Sequence, residues 1–489
     1  MSFPTHTKAI VCYIEAHIKD ARLNYKELEK RIGFSLAHIR EFFQRDMGYP
    51  LVQYIRMRKV KCSAIELINT DKTILEIAYE YGFSNPETYT RAFQKIIGMT
   101  PSAFREQEPV VGKEELIAGV YGIGILKEKE KKNNISYEKD VYKNSESTIL
   151  YGVPKAAYGS YGGQTPYPIC LKAASEYLGE NVNYSYIMAI SAAAFRLVWN
   201  NECWDLSNVD IFHTFGESND VYRLGAEALG REFLFLERDK GTTKEQFISF
   251  MKRQIDAGYP CIALGIIGPP EPCIITGYRD DGEELLGWNF FQNDSEFAKS
   301  IQIDESGYFV SRNWWNNTDT QAVMSMGAVS GEKFTPDRII ANAVMALEGR
   351  EDSGYSKGIR AYDAWKKALE EEKNFAAGEN YSRMFEKMLC QIDAMSCLID
   401  GRRCAASFFN DLADVSSVHQ ADYMMIAKAF DKCVREIEQM RELYGDMSYM
   451  MMLQNLADIE IRKQSCQLIE RAQRADLEAL TIMKKVISE

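Results

Sequence analysis

The stretch Ile74-Leu-Glu-Ile-Ala-Tyr-Glu-Tyr81, Gly82-Phe83-Ser84, Asn85-Pro-Glu-Thr-Tyr-Thr-Arg-Ala-Phe93 decides the fold of the first hundred residues. Its apolar residues recur at helical spacing on both sides of Gly82. Gly82 can take the left-handed conformation that ends a helix. Ser84 or Asn85 then caps the next helix, and Pro86 falls in its first turn, where a missing N–H costs little. The same grammar occurs 49 residues earlier: Tyr25–Ile32, then Gly33-Phe34-Ser35, then Leu36–Phe43. In the two second helices Ile39, Phe42 and Phe43, and Tyr89 and Phe93, face a small core. That turns Ala37, His38, Arg40, Glu41, Gln44 and Arg45 outward in the first unit. Glu87, Thr88, Thr90, Arg91, Gln94 and Lys95 turn outward in the second. Helix, Gly turn, helix is the geometry that lays a second helix in a major groove. Between the units, Val52–Leu67 reads as a bracing helix with Arg56, Arg58, Lys59 and Lys61 on a polar side.

Working outward, the chain has 489 residues, room for two to four domains. With 46% hydrophobic and 26% charged residues it has globular composition. No stretch approaches the roughly 18 apolar residues of a membrane span, and Met1–Ile14 lacks an export leader, so a cytoplasmic location is expected. The 11 cysteines are scattered with no CxxC, which points to reduced, mostly buried thiols and no structural metal. The net charge of −12 hides a split. Residues 1–110 hold 16 Lys and Arg against 13 Asp and Glu, a net of +3, and the rest holds 42 against 57, a net of −15. Any nucleic acid is expected to meet the head. Its modest charge predicts weak non-specific binding.

Residues about 8–106 resemble the DNA-binding domain of AraC/XylS-type transcription regulators. The matching residues are Tyr54-Ile-Arg-Met-Arg58, Ala64-Ile-Glu-Leu-Ile68, Ile74-Leu-Glu-Ile-Ala78, Gly82-Phe-Ser84, Tyr89, Arg91-Ala-Phe93, Gly98-Met-Thr-Pro-Ser102 and Arg105. The resemblance implies two recognition helices entering successive major grooves of double-stranded DNA. Ala37, His38, Glu41, Gln44 and Arg45 would read or frame one half. Glu87, Thr88, Thr90, Arg91 and Gln94 would serve the other, with Lys95, Arg58 and Lys59 toward phosphate or solvent. Arg-to-guanine and Gln-to-adenine contacts fit such geometry. Glu41 and Glu87 would repel phosphate unless they accept from cytosine or orient an Arg.

Downstream, residues 150–331 mix helix and strand signals. Gln164 is followed six residues later by Cys170, opening a helix at Leu171–Leu178. Thr243–Gly258 reads as an amphipathic helix. Cys261–Ile267, Cys273–Tyr278 and Glu284–Phe291 read as strands. This α+β layout resembles the papain-like fold in its bacterial peptide-processing and acyl-transfer variants. There a Gln precedes a nucleophilic Cys, and a His opens a strand of the form later seen here as Cys-Ile-Ile-Thr276-Gly277-Tyr278. Gln164, Cys170 and Asn289 match, but Glu271 occupies the His position. A carboxylate raises a thiol pKa where a His would lower it. The middle region therefore reads as a degenerate, non-hydrolytic cleft that binds a small-molecule or peptide effector. Gln164, Cys170, Glu271, Trp288 and Asn289 are its candidate ligand-binding residues. The alternatives are an active thiol hydrolase or acyltransferase with a DNA-binding leader, or a Cys170 that is only a buried helix-start thiol.

Residues 332–489 show long apolar stripes, such as Phe385, Met388, Leu389, Ile392 and Met395, the signature of a helical bundle. The highly charged run Lys127–Lys132 lies in 111–149, a linker or the start of the middle domain. The expected architecture is thus multidomain. It comprises an all-α double helix-turn-helix head (1–110), an α+β papain-like middle and an α-helical bundle tail. It needs no cofactor, and two chains pairing as a homodimer would fit it.

Overall fold

The computed structural model describes residues 10, 13–14, 17–19, 23–47, 50–70, 72–83, 85–97, 100–106, 139–204, 211, 214–216, 219–293, 297, 301–349, 354–375, 381–444 and 449–488. The Lys127–Lys132 run lies outside them.

The head comprises six helices: α1 (Tyr25–Ile32), α2 (Leu36–Met47), α3 (Leu51–Asn69), α4 (Ile74–Glu80), α5 (Pro86–Ile97) and α6 (Pro101–Glu106). Gly33 and Gly82 take φ of 77° and 72°, the left-handed turns their sequence context requires. Thr73 and Glu76 close a capping box at the start of α4. Asn85 caps α5 by accepting from Thr88 N at 2.8 Å. The second unit packs Phe83, Tyr89, Phe93 and Phe104 as a chain of edge-to-face rings 5.1–5.5 Å apart. The Tyr89 hydroxyl reaches across to Ser63 of α3 at 2.9 Å, so the bracing helix is tied to the recognition helix through a buried polar contact. Lys59, expected on a polar side of α3, is buried instead. A long aliphatic stem can lie along apolar surface in this way.

The middle region is an antiparallel sheet with helices packed on it. Its strands are β1 (Asp140–Lys143), β2 (Thr148–Tyr151), β4 (Arg231–Glu237), β5 (Cys261–Leu264), β6 (Pro272–Arg279), β7 (Glu284–Trp288), β8 (Gln302–Ile303), β9 (Phe309–Ser311) and β10 (Ala322–Val329), the short β3 (Val198–Asn200) standing apart. The order is β4-β10-β5-β6-β7-β9-β8, with β2 joining β6 to β1. A Cβ at Gly287 would collide with the Ile274 carbonyl, so the bulged β6–β7 pairing needs glycine there. Helix α7 (Pro166–Tyr177) packs on β6. It starts earlier than its periodicity suggests, because Pro166 is well suited to a first turn. Next come α8 (Tyr184–Ile190), α9 (Asp220–Ala228) and α10 (Lys244–Asp256). Thr243 and Gln246 form the capping box of α10.

The tail comprises α11 (Pro336–Glu348), the short β11 (Tyr355–Lys357) that pairs with β3, α12 (Ile359–Glu370), α13 (Tyr381–Val415), α14 (Gln420–Leu443), α15 (Tyr449–Ala457) and α16 (Ile459–Val486). Thr335 and Pro336 open α11 as cap and first residue. The change of element type near residue 331 does not interrupt the core. One buried apolar cluster contains Cys170, Ile190 and Phe195 from one side together with Phe409, Phe430 and Met483 from the other.

A fully buried ion pair fastens the two. Arg402 Nη2 lies 2.7 Å from Asp476 Oδ2, and Arg402 Nη1 donates to the carbonyls of Ala194 and Arg196 at 2.7 and 3.1 Å. Removing one partner leaves an uncompensated buried charge. Arg402→Ala is expected to cost about 3–5 kcal/mol of stability, whereas replacing both Arg402 and Asp476 by apolar residues of similar volume costs far less. Chemical denaturation of the full chain, followed by tryptophan fluorescence, checks both.

Candidate functional site

The two recognition helices differ in how fully their outer faces are described. On α2, Ala37, His38 and Glu41 are exposed, opposite the buried Ile39 and Phe43. The His38 ring meets Ser35 Oγ at 3.0 Å, so this side chain frames the helix start. Gln44 and Arg45 lie further along α2, and their side chains are outside the described residues. On α5, Glu87, Arg91, Gln94 and Lys95 are exposed, opposite the buried Tyr89, Ala92, Phe93 and Ile97. Thr88 and Thr90, expected fully outward, are half-buried because they flank the Tyr89–Phe93 stripe. Glu87 sits one turn before Arg91 with an oxygen 3.8 Å from Nη2. Both are largely exposed, so this pair adds little stability and is better placed to aim the guanidinium.

The scaffold behind α5 is locked by groups whose roles the sequence leaves unassigned. Arg105 donates to the Leu67 carbonyl at 3.1 Å and to the Lys72 carbonyl at 2.5 Å, tying α6 to the α3–α4 turn. Lys72 bridges Glu66 at 2.6 Å and Glu80 at 2.8 Å, and Lys19 adds a contact to Glu66 at 3.0 Å.

The comparisons with known proteins fall on this same segment. A helix-turn-helix domain family matches residues 28–107. The Tn10 TetD protein of Escherichia coli is 35% identical over 104 residues, covering 21% of this chain and 75% of that protein. The regulatory protein SoxS of Escherichia coli strain K12 is 30% identical over 107 residues, 22% of this chain and 99% of SoxS. The chain belongs to the AraC-type helix-turn-helix transcription regulators. Other relatives carry additional sequence: the match to the HTH-type transcriptional regulator YbfP of Bacillus subtilis, 30% identical over 105 residues, spans 22% of this chain and 35% of that protein. The AraC-type head is a DNA-binding module, and these relatives do not reach the body.

In the body, the structure brings most of the expected middle-region residues to one edge of the sheet. Pairing of Ile274 with Trp288 sets Cys273 and Asn289 side by side in register, and Glu271 immediately precedes β6. Cys170 is fully buried on α7. Its thiol is pushed well above the ordinary value by burial first, then by Cys273 and Glu271. The dipole at a helix start is outweighed because the sulfur lies inside the packed layer. Asn289 is buried, and its Oδ1 accepts from Phe291 N at 2.8 Å. Trp288 is committed elsewhere: its indole N–H donates to the Val153 carbonyl at 2.9 Å and its ring stacks edge-on against Tyr308. Gln164 is exposed, with its backbone N–H on Asp400 of α13 at 3.2 Å. Asp400 also accepts from Thr165 Oγ1 at 2.6 Å and from the Tyr184 hydroxyl at 3.1 Å.

Three participants are not among the expected residues. Tyr158 packs against Phe290 with tilted rings whose centres are 4.8 Å apart, and it acts electrostatically with Cys170 and Glu271. Cys273 could have been found, because it lies two residues beyond Glu271 and so shares its strand face. Asp400 is more than two hundred residues away, and nothing local marks it. Among the described residues no three His, Cys, Asp or Glu side chains gather as metal ligands would. Nor is any described helix long and apolar enough to cross a membrane.

The head's ionic cluster has a measurable consequence. Burial alone would raise the Glu66 carboxyl, but hydrogen bonds from Lys72 and Lys19 hold it at about 2, below its ordinary 4.5. A depressed folded value means the contribution is complete above pH 4.5 and fades as pH falls toward 2. Hydrogen-exchange protection factors across α3 and α4 in the full chain, referred to the intrinsic amide rate at each pH, are expected to fall over that window. Glu66→Gln should flatten the dependence.

Proposed function

We propose that this AraC-type regulator reads successive major grooves of duplex DNA with α2 and α5, and that its body sets how those helices engage by binding a small-molecule or peptide effector. One observation carries the DNA reading: α5 follows a left-handed glycine turn, buries its aromatic stripe, and leaves Glu87, Arg91, Gln94 and Lys95 together on the open face. That is the presentation major-groove readout requires. Arg91 is suited to guanine and Gln94 to adenine, while Lys95 is suited to phosphate. The +3 head on a −15 body favours DNA approaching the head and not the rest.

Effector control draws its support from the body. The middle region supplies a buried thiol, a carboxylate, a carboxamide and aromatic rings at one sheet edge, the composition of a ligand site. The loop Gln164–Thr165 at the mouth of α7 hangs on Asp400 of the tail, so occupancy there would be felt by α13. An effector shifts DNA binding only through its different affinities for two arrangements. We read the middle region as derived from a papain-like architecture that recognises without cutting. The burial and acidic neighbours of Cys170 favour binding over nucleophilic attack. Pairing of two chains belongs to the same reading, and sedimentation with and without DNA decides it.

Gel shifts on duplexes enriched by selection test the DNA interface. Arg91→Ala is expected to weaken the preferred duplex by about 1–3 kcal/mol and to relax preference at one base pair. Lys95→Ala should weaken all duplexes alike and reduce the salt slope by about 1. If both variants bind with unchanged affinity and sequence preference, the assignment of α5 fails. Iodoacetamide at pH 7 is expected to leave Cys170 of the folded chain unmodified, as read by peptide mass spectrometry, and to modify it after denaturation.

A further inference from the structure

The sheet order leaves β4 paired with β10 on one side, and among the described residues no strand pairs with its other side. The other terminal strands of the sheet are short: β8 has two residues and β1 has four. β4 has seven, Arg231-Glu-Phe-Leu-Phe-Leu-Glu237, with four apolar residues in a row. Phe233, Leu234, Phe235 and Leu236 are half-buried, packed against the main core without being enclosed by it. The Phe233 and Phe235 rings stack 5.9 Å apart. Helix α9, which packs on β4, does not close this edge. The Tyr167 hydroxyl of α7 donates to the Tyr222 carbonyl of α9 at 2.9 Å, which holds α9 in the helical layer over the face of the sheet. Edges are ordinarily blunted by shortness, by proline or by charges within the strand, and the run 233–236 has none of these.

The alternation of the ladder fixes which backbone groups point outward. Arg238 donates its N–H to the Gln321 carbonyl at 2.7 Å, one step beyond the Ala322–Glu237 pair. Bonded pairs alternate in an antiparallel ladder, so Leu236 and Leu234 bond to Val323 and Ser325 of β10. The N–H and C=O groups of Phe233, Phe235 and Glu237 therefore turn to the open edge. The interior of the sheet gives the same phase: the Gly265 N–H on the Glu271 carbonyl at 3.1 Å carries the alternation through β5 to β10. Such an edge is a template for another strand. The order of charges selects which strand. Antiparallel pairing of β4 with itself about Phe235 sets outward groups against outward groups, Phe235 opposite Phe235 and Phe233 opposite Glu237. On the other face it sets Leu234 opposite Leu236 and Glu232 opposite Arg238. Glu232 is exposed. Arg238 is fixed at the strand end by the carbonyls of Asn317, Thr320 and Trp315 at 2.9–3.3 Å and lies 3.8 Å over the Trp315 ring. These neutral acceptors hold the guanidinium without neutralising it. A two-fold axis repeats every contact, so each copy offers the charge that the other faces.

We propose that the open edge of β4 seats a second copy of this chain, the two β4 strands pairing antiparallel about Phe235 so that one sheet runs through both bodies. This deepens the reading that two chains pair and rests on it. Two paired strands make a small interface, which gives a weak, concentration-dependent dimer.

Sedimentation of the full-length protein over a range of concentrations, with and without duplex DNA, reads the pairing, and the chain is expected to pass from monomer to dimer as concentration rises. Glu232→Lys sets like charges opposite each other in two cross-strand pairs at once and is expected to weaken association about tenfold. The melting temperature should stay unchanged, because Glu232 is exposed. Disulfide trapping reads the register. Leu234 and Leu236 of opposing strands form a non-hydrogen-bonded pair, whose close Cα atoms suit a disulfide. With oxidised glutathione, a mixture of Leu234→Cys and Leu236→Cys chains is expected to crosslink between those two positions, as mapped by peptide mass spectrometry, and either variant alone far less. If a cysteine variant fails to fold, Glu232→Lys carries the test. A dimer unaffected by Glu232→Lys, or one that gives no 234–236 crosslink from folded variants, overturns the β4 assignment and leaves the two-chain reading standing. A chain that stays monomeric at every concentration, with and without DNA, overturns both. A monomer whose β4 amides become protected from exchange only on adding an unrelated strand-forming peptide has a foreign strand as partner, and the second-copy assignment fails.

Discussion

The body of this protein is organised around one charge pair placed where water cannot reach. Arg402 and Asp476 are both fully buried, and each would be strongly destabilising alone. They are tolerated because every nitrogen of the guanidinium and both carboxylate oxygens have a partner. Asp476 takes the Arg402 fork and the Tyr362 hydroxyl at 2.7 Å, and the remaining guanidinium nitrogen satisfies two carbonyls of the 194–196 turn. Gly401, beside Arg402, lets α13 approach so closely that a Cβ would stand 2.7 Å from the Ala194 carbonyl. Middle and tail therefore fold against each other as layers of one core. Geometry of this kind specifies an arrangement more than it adds stability, since apolar replacements could fill the same volume.

The same helix reaches the candidate ligand site. Two residues before Arg402, Asp400 collects hydrogen bonds from Gln164, Thr165 and Tyr184. Position 400 points roughly away from position 402 around the helix, so one element holds both the buried pair and the mouth of α7. A ligand that moved this mouth would be working against the best-anchored helix in the body. Displacing Gln164 and Thr165 would require breaking their bonds to Asp400 or moving α13 with them.

The head follows a different logic. Its rigidity comes from a chain of edge-to-face aromatic rings, one buried hydroxyl bridge from Tyr89 to Ser63, and an ionic cluster around the largely buried Glu66. Arg105 closes the end of that arrangement by binding two carbonyls. These contacts leave the outer face of α5 free of structural duty except for the weak Glu87–Arg91 pair. A recognition surface needs that freedom: its side chains must exchange water for base edges without loosening the helix that carries them.

The sequence alone determined the head's design, because every signal there is local. Helical periodicity, the glycines at 33 and 82, a cap at Ser84 or Asn85 and most of the outward residues of α5 follow from spacing within about twenty residues. It also located most helices of the tail and the principal strands, and it placed Glu271 where a base would otherwise stand. The exact helix start at Pro166, the half-burial of Thr88 and Thr90, and the burial of Lys59 depended on neighbours distant in the chain. Whether middle and tail share a core, and which carboxylate holds the mouth of α7, was decided only by tertiary structure. Asp400 and Asp476 look like any other acidic residue on a long helix, and their roles arise from partners more than seventy residues away. Burial and pairing are properties of the packed chain, and periodicity in sequence carries the face a residue occupies but not the group it meets there.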